Sequence, residues 1–111
     1  MTLPNFVLNK LNHAIKFSYY SSINDFLETG NASQINVIYM DKIFNETSEY
    51  NDFCITKNEL YNSFKKDIII LHPLPRTKEL PKVFDKHPGA VYFYQAQNGL
   101  YVRASLFLSY F

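Results

Sequence analysis

The chain has 111 residues, 47% of them hydrophobic, and a formal charge of +1. That length allows one small domain with a modest core, and the near-neutral balance offers nucleic acid no basic field. A single cysteine, Cys54, excludes an internal disulfide framework and suits a reducing compartment, and no segment reaches the roughly 20 apolar residues that span a bilayer.

The opening MTLPNFVLNK lacks the basic and apolar regions of a secretory signal, so a cytoplasmic location is expected. The glycosylation patterns at Asn31 and Asn45 are then read as chance. Pro4 suits the first position of a helix, and Phe6, Val7, Leu11 and Ala14 give that helix a partial apolar face. A short strand is predicted at residues 15–19. Ser21 or Ser22 caps a second helix that runs through Glu28, buries Ile23, Phe26 and Leu27, and stops at Gly30. The next strand, residues 35–40, is apolar apart from Asn36. Strand–helix–strand order implies a parallel pair with a right-handed crossover.

Residues 41–52 are polar and lack a clear period. Lying at the carboxyl end of a strand, they read as a binding loop. Thr56-Lys57-Asn58-Glu59 is a capping box that opens a short helix with Leu60 and Phe64 facing inward. The helix returns the chain to a strand at 67–71, whose Ile68-Ile69-Ile70-Leu71 run predicts burial on both faces. His72-Pro73-Leu74-Pro75-Arg76 comes next. Each proline has a fixed φ and no N–H, and the residues before them, His72 and Leu74, are pushed toward extended conformations. The strand should end in a stiff corner whose carbonyls cannot all be used internally. Open α/β sheets bind ligands at that edge, so the carbonyls of Pro73 and Leu74 are candidate acceptors for an N–H-bearing ligand. The expected architecture is α/β: a three-layer, Rossmann-like parallel sheet of about three strands with flanking helices. Pattern alone leaves residues 88–111 open. Strand, Asn-Gly turn and strand fit residues 91–108 as readily as one helix does.

The corner and the residues after it resemble the aspartate carbamoyltransferase family. The family's HPLPR signature stands at residues 72–76. The likeness continues through Asp85-Lys86-His87-Pro88, Ala90-Val91-Tyr92-Phe93, Gln95-Ala96 and Asn98-Gly99-Leu100-Tyr101-Val102-Arg103-Ala104. Sister ornithine enzymes usually carry HCLP, so Pro73 favours the aspartate branch. Weaker similarity runs back through Val37-Ile38-Tyr39-Met40 and Ser21-Ser22-Ile23. The resemblance implies that residues 1–111 are the second half of an aspartate-binding domain. It also implies one long C-terminal helix, with Asp85 near its start and Pro88 in its first turn. An internal Gly99 costs such a helix about 1 kcal/mol, which tertiary packing can offset. In the family this helix packs on the carbamoyl-phosphate domain, so Tyr92, Phe93, Tyr101, Phe107, Tyr110 and Phe111 are expected to await a partner.

The family joins the amine of L-aspartate to the carbamoyl carbon of carbamoyl phosphate, giving N-carbamoyl-L-aspartate and phosphate at the start of de novo pyrimidine synthesis. It uses no cofactor and no metal. By resemblance, Pro73, Leu74 and Pro75 supply carbonyls that accept from the carbamoyl amide and orient its carbon. The plainer readings of the corner are a structural loop or an extended ligand for an SH3-type groove. Where the family grips the aspartate carboxylates with Arg-x-Gln, this chain has Lys42 and Phe44. Lysine keeps the charge but not the bidentate fork, and phenylalanine has no donor. Lys42 is a candidate aspartate contact, with a solvated surface lysine as its alternative. His13, His72 and His87 show no triad or metal-ligand spacing and read as packing or surface; Cys54 reads as an inert core thiol. Arg103 is expected to serve packing or interdomain pairing. No residue here is assigned to catalysis itself. The family's Ser-Thr-Arg-Thr phosphate loop is not among these residues, and its site is completed by a neighbouring subunit of a homotrimer. The chain alone is therefore expected to be inactive and to need an N-terminal carbamoyl-phosphate domain, in cis or in trans. A non-catalytic, degenerate paralogue that docks on such domains is a second reading. An unrelated small α/β binding module is a third.

Overall fold

The computed structural model describes Val7, Lys10, residues 15–42 and residues 52–111. The first predicted helix falls almost wholly outside the described residues, as do His13 and positions 43–51, including Phe44. What is described is an α/β unit with a parallel sheet and a long C-terminal helix, a partial Rossmann-like arrangement. Helix α1, Ile23–Glu28, begins where Ser22 Oγ accepts the Asp25 N–H at 3.0 Å. It ends as Gly30 takes a left-handed φ of 72°. Ile23, Phe26 and Leu27 pack against the core but are only half-buried, short of the burial their spacing predicted.

Strand β1, Val37–Tyr39, and strand β2, Ile69–Leu71, pair in parallel, with Val37 opposite Ile69, Ile38 opposite Ile70 and Tyr39 opposite Leu71. Between them runs helix α2, Lys57–Ser63. Thr56 Oγ1 accepts the Glu59 N–H at 3.2 Å, and the Glu59 carboxylate accepts the Thr56 N–H at 2.6 Å. The predicted capping box is therefore closed at both ends.

The strand predicted at residues 15–19 does not form. Ile15 and Tyr19 are each about half exposed, with no partner strand among the described residues. The third place beside β2 is taken from the other end of the chain. Ala90 forms a parallel bridge with Ile70: the Ile70 N–H donates to the Gly89 carbonyl at 2.7 Å, and the Val91 N–H donates to the Ile70 carbonyl at 3.2 Å. Gly89 makes this approach feasible, since a Cβ there would lie 1.7 Å from the Ile68 carbonyl oxygen.

Burial of β2 on both faces is also corrected. Ile68 and Ile70 are fully buried, but Ile69 between them is 42% exposed. Alternate side chains of a strand point to opposite faces, and only one face here meets the core. That core gathers Leu60, Phe64, Ile68, Ile70, Leu80, Phe84 and Tyr92. Each contributes about 1.5–3 kcal/mol on burial.

Helix α3, Tyr92–Tyr110, resolves the choice between hairpin and helix in favour of the helix. It starts later than the resemblance implied. Asp85 sits in a separate 3-10 turn, Lys82–Lys86, and Pro88 precedes the helix, because residues 89–91 are pinned beside β2 by their hydrogen bonds to Ile70. Only Tyr92 of α3 is buried.

Candidate functional site: the proline corner after the second strand

His72, the residue after β2, is fully buried, and three hydrogen bonds fix it. Its N–H donates to Gln95 Oε1 of α3 at 2.9 Å. Its Nδ1 accepts the Leu74 N–H at 2.8 Å, so the ring proton resides on Nε2, 3.0 Å from Glu79 Oε1. Glu79 is 1% exposed and also takes the Thr77 N–H at 2.7 Å and the Thr77 hydroxyl. Burial pushes the Glu79 carboxyl up. The hydrogen bonds from Thr77 and His72 outweigh that and hold it below the usual carboxylate range.

These bonds decide the backbone of the corner. Leu74 is not extended, as its place before a proline suggested, but left-handed, with φ 51°. Its amide is turned back onto the ring of His72. A leucine in that region costs about 1–2 kcal/mol. The Leu74–Pro75 peptide is cis. Pro73 and Pro75 are exposed and Leu74 half-buried. Among the described residues no hydrogen bond engages the carbonyls of Pro73, Leu74 or Pro75.

Arg76 anchors the far side. It grips Asp85 through both guanidinium nitrogens, Nη2 to Oδ2 at 2.8 Å, while its plane lies 6.0 and 5.6 Å from the ring centres of Tyr92 and Phe93. The Tyr92 hydroxyl donates to the same carboxylate. The Arg76 bond is the main cause that holds Asp85 below its ordinary range, and partial burial opposes it. Burial, then Asp85, pushes the Tyr92 hydroxyl up. A fork-to-fork pair flanked by aromatic rings suits arginine and would not suit lysine.

Lys42 is half-buried just past β1, where its N–H donates to Asp41 Oδ1 at 2.7 Å. A cavity of about 290 Å³ opens at this end of β1, lined by Met40, Asp41, Phe53, Ile55 and Glu79 among others. Lys42 and the carbonyl-bearing residues 73–75 lie outside that lining. Cys54 is half-buried rather than in the core. His87 is buried, its Nδ1 accepting the Gly89 N–H at 3.0 Å, and Arg103 lies on the exposed face of α3. The sequence reading missed His72, Glu79 and Gln95 as a connected set. Only the offset of two between His72 and the Leu74 amide is a local signal, of the kind Asx turns leave.

A parallel α/β unit with a strained, main-chain-presenting corner at the carboxyl end of a strand belongs to the class of sheets that bind ligands at that edge. The family model for the aspartate/ornithine carbamoyltransferase Asp/Orn binding domain matches residues 6–110, and the chain belongs to that family. The chain is similar to aspartate carbamoyltransferase catalytic subunits. It is 35% identical to that of Wigglesworthia glossinidia brevipalpis, over 98% of this chain and 36% of that protein. With the subunit of Phocaeicola vulgatus it shares 36% identity, over 85% of this chain and 31% of the relative. With that of Clostridium kluyveri it shares 32%, over 97% and 36%. The chain thus spans about a third of the length of the curated relatives it matches.

Proposed function

We propose that this chain supplies the aspartate-domain side of an aspartate carbamoyltransferase site, with residues 1–111 as the second half of that domain. The carbonyls of Pro73, Leu74 and Pro75 accept hydrogen bonds from the amide of carbamoyl phosphate and turn its carbon toward the amine of L-aspartate. The C–N bond forms, the C–O bond to phosphate breaks, and the amine proton is lost to the departing phosphate or to solvent. The product is N-carbamoyl-L-aspartate, the entry to pyrimidine synthesis. The observation that carries this reading is the corner itself: three exposed or half-buried residues whose carbonyls have no partner among the described residues, held by a leucine at φ 51°. Strain of that kind gathers at functional sites.

Lys42 faces an aspartate carboxylate in this reading. The phosphate end of the substrate needs a carbamoyl-phosphate domain, provided in cis or in trans, and the complete assembly is a cytoplasmic homotrimer. The apolar face of α3 docks on that domain. A second reading, a non-catalytic module that docks without turnover, is favoured by Lys42 and Phe44 in the places of an arginine and a glutamine. Losing one or two charge-assisted hydrogen bonds at roughly 1.5–3 kcal/mol each would weaken aspartate binding by about tenfold to about ten-thousandfold.

Rescue of a pyrimidine auxotroph separates the two. Supplied together with the carbamoyl-phosphate domain of a relative, this chain is expected to restore growth, and alone it is not. Stable association with that domain but no carbamoylaspartate formed would favour the docking module.

A further inference from the structure

The buried bond between His72 and Glu79 lies outside everything the proposed reaction uses directly. A carboxylate that is 1% exposed is costly to bury, and the hydrogen bonds that satisfy this one among the described residues come from a histidine and a threonine. Its partners are all within the corner: the imidazole of His72, and the backbone and hydroxyl of Thr77. The imidazole is bonded at both nitrogens, Nε2 to Glu79 and Nδ1 to the amide of Leu74. A fixed carboxylate therefore fixes a ring, and the ring fixes the one residue other than glycine, among the described residues, whose φ is left-handed. The same histidine is tied to α3 through Gln95. β2, α3 and Glu79 thus meet at this one residue, while Arg76 and Asp85 hold the far side of the corner.

We propose that Glu79 is a positioning residue of the transferase site, acting through the two-ended His72 bridge to aim the carbonyls of residues 73–75 at the carbamoyl amide. This rests on the reading of those carbonyls as substrate contacts. Glu79 does not touch substrate. It keeps the imidazole in the tautomer and rotation that hold the Leu74 amide, as an outer carboxylate does for a histidine bound to a metal. Because the phosphate end of the substrate is anchored elsewhere, loss of the bridge affects orientation more than affinity.

Three variants test it. Glu79→Gln keeps shape but removes the charge. His72→Gln places an amide nitrogen toward Glu79 but offers nothing to Leu74. His72→Asn offers an acceptor to Leu74 but does not reach Glu79. In the isolated chain, amide hydrogen exchange at Leu74 is expected to speed by about tenfold or more in Glu79→Gln and His72→Gln and by less in His72→Asn, which keeps an acceptor for that amide, while exchange at Ile70 in β2 stays as in the wild type. In the assembly with a relative's carbamoyl-phosphate domain, kcat per folded chain is expected to fall by about tenfold or more. KM for carbamoyl phosphate should stay within about threefold. A residue that only stabilises the fold would change Leu74 and Ile70 together and leave kcat per folded chain unchanged; that outcome overturns the proposal. Full kcat in His72→Gln or His72→Asn likewise overturns the need for a two-ended bridge. An inactive wild-type assembly overturns the transferase reading and this role with it, whereas an active wild type with an equally active Glu79→Gln overturns this role alone.

Discussion

Gly89 is the residue at which the smallest change has the largest expected effect. A Cβ built there would sit 1.7 Å from the Ile68 carbonyl oxygen, and what it meets is backbone of the central strand, which cannot rotate away. Gly89→Ala should therefore push residues 89–91 off β2 and break the Ile70 bonds to both sides. A loss of about 2–4 kcal/mol is expected by urea denaturation, whereas Gly99→Ala, in mid-helix with its Cβ meeting only the Arg103 side chain at 3.7 Å, should gain up to about 1 kcal/mol. His87, two positions earlier, supplies an acid sensitivity. Burial pushes its imidazole below the usual 6.5, and its Nδ1 is occupied as an acceptor. Above pH 6.5 the ring is neutral in both folded and unfolded chains and contributes nothing. As pH falls through 6.5 the unfolded chain gains a proton that the folded chain refuses, so stability drops from there down to the lower folded value. Urea midpoints measured between pH 7 and 5 should decline in the wild type and decline less in His87→Gln.

Among the elements, α2 is the one whose boundaries owe most to a cap. Its seven residues are too few to hold a helix by propensity, and it buries Leu60 as its main contact. Thr56 and Glu59 satisfy the first free amides in both directions. Thr56→Ala should cost about 1 kcal/mol, read as a lower thermal midpoint, and Thr56→Ser should recover most of it. The capping box was plain in four consecutive residues because all its partners are local. The strand expected at 15–19 had the right residue types but, among the described residues, no neighbour to pair with, and a strand without a ladder leaves its amides to water. The extended pairing at Ala90 gave the opposite lesson. Nothing in Pro88-Gly89-Ala90 has strand character, and it pairs because a glycine lets it come close to Ile68.

For the whole molecule the feature that governs behaviour in solution is α3. Only Tyr92 of its nineteen residues is buried, while Phe107 is 64% and Leu108 84% exposed. A contiguous apolar face of this kind drives association. The chain is expected to sediment as concentration-dependent oligomers. Replacing Phe107 and Leu108 by glutamate and lysine should return it to a monomer, with stability changed by no more than about 0.5 kcal/mol, since these side chains contribute nothing to the core.

What the residues alone determined is whatever depends on neighbours a few positions away: the capped helices, the parallel order of the two strands, and the proline corner at the strand's end. Periodicity, caps and fixed proline φ angles are local physics, and they survive without knowledge of the fold. Only tertiary structure decided that a glycine segment would complete the sheet. The same holds for Leu74, turned left-handed against its local preference by a ring that Glu79 holds from seven residues away. Those outcomes depend on groups brought together by packing, where a buried carboxylate or an unpaired amide costs more than a strained leucine.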